Sequence, residues 1–239
     1  MNESEEAKGI AIRELEPALW PDLEGLSGSN GACGGCWCWW WRLAGVEHWK
    51  DVQGDVAHER LHRAVVGGAA HGVLAFDGAA AVGWCSYEPR IAFPRLQRSP
   101  TFKGTPTEGV WFVGCFFVER SWRRRGVAEL LLDAALAAMA RDGACAIEAC
   151  PTDTHDQKRP DTFVYMGTRS MFERRGFCIV PHKGKGMTVM RRELRSEERN
   201  LVAAKGALST GSRQPGVDIS KLVDSVRLHE KNIEMLNKE

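Results

Sequence analysis

Residues 111–150 constrain the fold more than any other stretch, because an apolar segment, a basic turn and an Ala/Leu-rich segment follow one another without a break. Residues 110–118, Val-Trp-Phe-Val-Gly-Cys-Phe-Phe-Val, are aromatic and β-branched and too few for a helix of ordinary length, which predicts a buried strand. From Ala128 onward Leu131, Leu132, Ala135, Leu136 and Met139 recur at helical spacing. Glu129, Asp133, Ala137 and Arg141 form the opposite stripe, and Gly143 stands just past the end, where a C-cap belongs. Between strand and helix lie Arg123, Arg124, Arg125, Gly126, Val127 and Ala128. A helix start leaves backbone N–H groups unpaired and carries partial positive charge. Three arginines and a glycine at that point predict an anion site, the glycine letting the backbone come close to a phosphate.

The turn is neither Gly-x-Gly-x-x-Gly nor Gly-x-x-x-x-Gly-Lys-Ser/Thr, which sets aside the two common nucleotide loops. Residues 144–150 read as a second short apolar strand containing Glu148 and closed by Pro151. A loop rich in Asp, Lys, Arg and Pro follows, and residues 168–176 read as a helix running into Phe172-Glu173-Arg174-Arg175-Gly176-Phe177. Strands at 177–180 and 187–191 would complete the sheet.

Arg123-Arg124-Arg125-Gly126-Val127-Ala128 resembles the Arg/Gln-x-x-Gly-x-Gly/Ala turn of the GNAT superfamily of N-acetyltransferases, and the segment ending at Phe177 resembles that family's penultimate helix, which typically ends Tyr-Glu-x-x-Gly-Phe. The resemblance spans residues 10–194. It implies an α/β fold with a mixed, mostly antiparallel central sheet flanked by helices, and parallel strands that splay at a cofactor cleft. It further implies that acetyl-CoA lays its pyrophosphate on residues 123–128 and its pantetheine arm against main-chain groups of Phe116 and Val118. No metal is called for. The implied reaction is transfer of the acetyl group to a primary amine of a small molecule or protein by direct attack. Glu148 stands where some members place a base acting through water. A lone glutamate in an apolar strand is costly unless partnered or functional, so catalytic base and structural partner both remain open. Phe172 replaces the family's usual acid, a tyrosine. Tyr87 and Tyr165 are the remaining tyrosines, and Tyr165 would lie about two turns upstream of Phe172 if the segment were continuous helix. With that acid missing, a non-catalytic acyl-CoA-binding sensor or interaction module is the alternative.

Ahead of this region, residues 10–15 alternate apolar and charged and predict the opening strand; Trp20 begins a short helix that Gly25 should end. Three cysteines and four tryptophans then fall between Cys33 and Trp41. Cys33, Cys36 and Cys38, with His48 as fourth ligand, would suit a metal, but no second cysteine pair accompanies them. The tryptophans could instead wall an acceptor pocket, holding a cationic amine over their faces, or fill a corner of the core. Gly34-Gly35-Cys36-Trp37-Cys38 is similar to a stretch in other members of the superfamily and carries no chemistry by itself. Residues 51–66 read as one helix broken by Gly67-Gly68, with its histidines solvated or partly packed. Residues 72–78 and 80–87 read as a hairpin turning at Asp77-Gly78, and 90–107, with three prolines, as a long loop.

At 239 residues, 44% hydrophobic and 26% charged, the chain can bury a full core. A net charge of +1 gives no long-range pull toward nucleic acid or acidic membranes. The acidic start lacks a signal-peptide pattern and no apolar run spans a bilayer, so the expected location is cytoplasmic and the eight cysteines are expected reduced. Cys85, Cys115, Cys145, Cys150 and Cys178 read as small buried hydrophobes. Residues 195–217 read as a linker and 218–239 as an amphipathic helix, which docks on the domain, frays, or pairs with a second copy as a homodimer.

Overall fold

The structure, a computed structural model, describes residues 9–153, 164–182 and 187–196. The strands β1 (Ile10–Glu14), β2 (His71–Asp77), β3 (Ala80–Pro89), β4 (Val110–Val118), β5 (Ala146–Ala149), β6 (Cys178–Ile179) and β7 (Met190–Glu193) form one sheet. Their order is β1-β2-β3-β4-β5-β7-β6. Of these seven strands only β4 and β5 pair in parallel; the other neighbours are antiparallel. This is the mixed, mostly antiparallel α/β sheet flanked by helices that the sequence predicts.

The helices are α1 (Trp20–Ser27), α2 (Trp49–Val52), α3 (Asp55–Val66), α4 (Pro94–Arg98), α5 (Val127–Arg141) and α6 (Arg169–Glu173). Strand alternation sends successive side chains to opposite faces, and the two faces bury different partners. Val73, Ala75, Val113 and Ile147 pack under α5, whose Leu131, Leu132, Ala135 and Met139 are fully buried. Leu74, Phe76 and Trp84 face α1, α3 and the tryptophan-rich segment instead. A third apolar group, Trp41, Phe93, Leu96, Phe102 and Phe112, lies under residues 90–107.

Several boundaries differ from expectation. Helix α1 runs through Gly25 to Ser27, because burial of Trp20 and Leu23 outweighs a glycine penalty of about 1 kcal/mol. The helix expected over 51–66 is two, α2 and α3, parted at Gly54, whose φ is 82°. The cause lies in the cysteine-rich segment: the Gly54 N–H donates to the Gly35 carbonyl at 2.9 Å. A Cβ on Gly35 would stand 2.6 Å from the Gly54 nitrogen, so only glycine permits that approach. Strand β7 begins at Met190 rather than Met187, its extent set by pairing of Ala146 with Glu193 through Ala149 with Met190. Residues 90–107 hold a short 3-10 turn, Arg90–Ala92, and α4 rather than an open loop. Cys145 and Cys178 are exposed, against expectation, whereas Cys85 and Cys150 are buried. The linker and helix expected beyond 196, and residues 154–163, lie outside the described residues. Among the described residues no helix is long and apolar enough to cross a membrane.

Candidate active site

The site is built where β4 leaves β5. Their parallel register runs from Val110 with Ala146 to Val113 with Ala149 and then stops. On the other side of β4 the pairing with β3 steps from Val113 to Cys115 across Tyr87 and Ser86, so Gly114 is an extra, bulged residue. A bulge bends its strand and frees the backbone beyond it. Past Gly114, the Phe116 N–H donates to the Tyr165 carbonyl at 2.6 Å, and the Thr152 N–H beyond β5 donates to the Gly167 carbonyl at 2.9 Å. Residues 165–168 therefore lie between the diverging chains. By alternation Val118 directs its main-chain groups to the same edge as Phe116. The Val118 carbonyl accepts from Arg123 Nε at 3.0 Å, which ties the basic turn to the strand end.

The turn itself is shaped to face an anion. Gly126 caps α5 in the left-handed region with φ 80°, and Arg124 is also left-handed at φ 60°. The Gly126 carbonyl accepts from the N–H groups of Glu129 and Leu130. Among the described residues, no hydrogen bond engages the N–H groups of residues 124–128. Backbone that alternates handedness in this way turns successive amides into one concavity. The Arg125 guanidinium lies over the Trp122 ring at 5.1 Å, which leaves the arginine on the surface beside the amides. Five open amides, a helix N-terminus and flanking arginines fit a pyrophosphate.

Glu148 is in a different situation. It is buried, its Oε2 accepting from Arg90 Nη1 at 2.7 Å and its Oε1 from Arg191 Nη1 at 2.8 Å. Arg90 is wholly buried and also donates through Nη2 to the carbonyls of Thr105 and Pro106. Of the two roles open to Glu148 in the sequence, these contacts fit the structural partner: both oxygens are taken, and the carboxylate anchors residues 90–106 to the sheet. A second buried glutamate repeats the device. Glu88 stands beside Phe112 on β4, which stands beside Glu148, and Glu88 binds Arg42 and the His71 ring and N–H. The sequence reading passed over Arg90, Arg42 and Glu88. Their signal was weak: charged residues flanked by Pro89 or by the tryptophan run, with partners far along the chain.

Phe172 is fully buried, its ring 6.4 Å from Phe116 and 5.1 Å from Phe177. Tyr165 is not on a helix continuous with it, since α6 begins at Arg169. Tyr165 sits instead in the turn at the divergence of β4 and β5, and burial pushes its phenol above the usual range. Arg175, just before Gly176, bridges to Asp133 and Glu129 on α5, so the outer stripe of that helix is an anchor as well as a solvated face.

The tryptophan-rich segment divides its labour. Trp37 and Trp41 are buried; Trp41 donates through Nε1 to the Gly114 carbonyl at 3.0 Å, at the bulge itself. Trp39 and Trp40 keep partly open faces, and the cations over them are the chain's own: Arg42 and Arg60 at Trp39, Arg95 at 3.6 Å over Trp40. Cys38 is buried and accepts from Trp84 Nε1 at 3.3 Å. The neighbouring Cys115 thiol pulls the Cys38 thiol below its ordinary value, while burial pushes Cys36 up to about 12. Cys33 is exposed, and among the described residues no three His, Cys, Asp or Glu side chains are arranged to hold a metal.

The sheet opens between parallel β4 and β5, with an amide-lined turn at the start of α5. The acetyltransferase (GNAT) family model matches residues 36–177, more than half of the chain. This chain belongs to that family. No curated protein matches it. Among solved structures it is similar to a GCN5-related N-acetyltransferase from Kribbella flavida, at 16% identity over 78% of this chain and 99% of that one, TM-score 0.48. A ribosomal-protein-alanine N-acetyltransferase from Brucella melitensis is 15% identical over 77% and 99%, TM-score 0.46. A PaiA N-acetyltransferase from Thermoplasma acidophilum, in complex with coenzyme A, is 11% identical over 77% and 99%, TM-score 0.42.

Proposed function

We propose that this chain is an acetyl-CoA-dependent N-acetyltransferase that transfers an acetyl group to a primary amine by direct attack. The observation that carries the reading is the row of open N–H groups at residues 124–128, placed at the end of the strand whose edge β5 has left. Acetyl-CoA, when bound, supplies an acetyl group activated as a thioester. The amides of 124–128 and the side chains of Arg123, Arg124 and Arg125 hold the pyrophosphate, with Val127 and Ala128 contributing the first helical N–H groups. The N–H of Phe116 orients the arm once the Tyr165 carbonyl lets it go, and the Val118 edge continues that contact. Holding the two reactants together supplies most of what amide formation needs from the protein. Because Arg90 and Arg191 occupy both oxygens of Glu148, we assign Glu148 to positioning the site wall, and the ammonium proton leaves through water. We place the activity in the cytoplasm, where acetyl-CoA is at hand and free cysteines stay reduced.

The buried, hydroxyl-free Phe172 and the occupied Glu148 favour a second reading, an acyl-CoA-binding module without turnover. Both readings require the turn. Gly126→Val should crowd the phosphate and strain a left-handed backbone, abolishing acetyl-CoA binding by calorimetry while far-ultraviolet circular dichroism stays that of the folded chain. Unchanged affinity would overturn the assignment of the pyrophosphate to this turn.

A further inference from the structure

Among the described residues, Arg95 is the one half-buried arginine of this region that binds no carboxylate. Arg42 has Glu88, Arg90 has Glu148, Arg60 has Glu47 and Arg191 has Glu148. Among the described residues Arg95 has no acidic partner, only the face of Trp40, with its guanidinium carbon 3.6 Å from the ring centre. Its neighbour on α4, Arg98, adds like charge and spends its Nη2 on the Leu43 carbonyl. Partial burial and Arg98 together pull Arg95 below its ordinary value, the mark of a cation lacking a counter-ion. The contact with the Trp40 ring holds the Arg95 guanidinium in place without using its N–H donors on a carboxylate, which leaves them for an anion that arrives.

Its place in the fold says what arrives. Phe93, two residues before Arg95, would touch a Cβ at Gly114 at 3.1 Å, and Trp41, next to Trp40, donates to the Gly114 carbonyl. The chain on which Arg95 and Trp40 sit is thus held, through Phe93 and Trp41, at the bulge where β4 leaves β5. Tyr165, whose carbonyl holds the Phe116 N–H in that opening, is within electrostatic reach of Arg95. A guanidinium laid on an indole keeps its N–H edge pointing outward in one plane, the geometry that receives a carboxylate through two parallel hydrogen bonds.

We infer that Arg95, presented by Trp40, binds a carboxylate on the acceptor, so that the substrate is a small amino acid-like amine rather than a protein amino group. The inference rests on the acetyltransferase reading and sharpens it. Arg95 is a specificity residue, apart from the turn that holds acetyl-CoA.

The test pairs free amino acids with their carboxamides as acceptors, at saturating acetyl-CoA, for the wild-type chain and for Arg95→Gln. Expected is a preference for the free acid of about ten- to hundredfold in kcat/KM, carried mainly by KM, as a charge-assisted bidentate contact supplies. In Arg95→Gln that preference should vanish, with acetyl-CoA affinity and the thermal midpoint unchanged; Arg95→Lys should restore part of it. Equal use of acids and amides by the wild type, with acetyl transfer intact, would overturn the inference and leave the enzyme reading standing. Calorimetric titration of N-acetylated amino acids and their amides into the wild type with CoA keeps the two failures apart, because it needs no turnover. Acid-selective binding lost in Arg95→Gln supports the carboxylate site even in an inert protein. Binding blind to the carboxylate removes it.

Discussion

Glu148 decides more about this molecule than its single negative charge suggests. It offsets two guanidinium groups, one of them with no exposed surface, and links β5 to β7 and to residues 90–106. Removing one partner of a buried ion pair leaves uncompensated charge and costs about 3–5 kcal/mol. Glu148→Gln should therefore lower the free energy of unfolding by about that amount in a denaturant titration. A variant with wild-type stability and a turnover lower by about a hundredfold would instead restore Glu148 as a positioned base. Phe172→Tyr, which the family pattern recommends, puts a hydroxyl into a fully buried aromatic cluster and should cost about 1–3 kcal/mol in the same measurement, without a gain in rate. The sequence exposed the problem at Glu148, a charge in an apolar strand, but not its solution. The two arginines stand 58 and 43 positions away, and no local pattern connects them.

At the level of elements, legibility followed periodicity. Strand β4 is a short aromatic and β-branched run buried along most of its length and helix α5 buries one repeating face, so composition and the 3.6-residue spacing located them closely, and the turn between them followed. Where tertiary partners set the boundary, the sequence fell short: Gly54 breaks a helix because Gly35 approaches it, and β7 begins opposite the residue where β5 ends. One such tertiary clamp joins the start of β2 to the end of β3. The His71 ring bonds Glu88 at 2.5 Å and lies edge-on to Trp111, with Arg42 and Asp142 also facing it. The Glu88 hydrogen bond raises the His71 pKa above 6.5, against burial and Arg42, which lower it. A group whose folded pKa is raised binds its proton more tightly when folded. The stabilisation is therefore fully present below about pH 6.5 and is lost as pH rises through the folded value. The difference in unfolding free energy between wild type and His71→Gln should thus be larger at pH 5.5 than at pH 9. A difference independent of pH would show that the ring only packs.

For the whole molecule, the sheet, its flanking helices and the basic turn before α5 were visible in the chain, while the packing of residues 33–42 and 90–107 was not. Residues 90–107 and the tryptophan segment have irregular backbones, and their places depend on Arg90, Arg42 and Trp41 reaching the sheet. The strands that form the cleft are complete by Glu193. A chain ending at Leu194 should accordingly bind acetyl-CoA as the full chain does; loss of binding or of folding on truncation would make residues 195–239 part of the domain. Acetyl transfer itself is tested most directly by mixing full-length protein with acetyl-CoA and a panel of primary amines, following free thiol release and acetylated amine by mass spectrometry. Stoichiometric release of thiol and appearance of amide with at least one amine, both lost in Gly126→Val, is the expected result. Tight acetyl-CoA binding with no thiol released to any amine would contradict it and make this chain a binding module on an acetyltransferase fold.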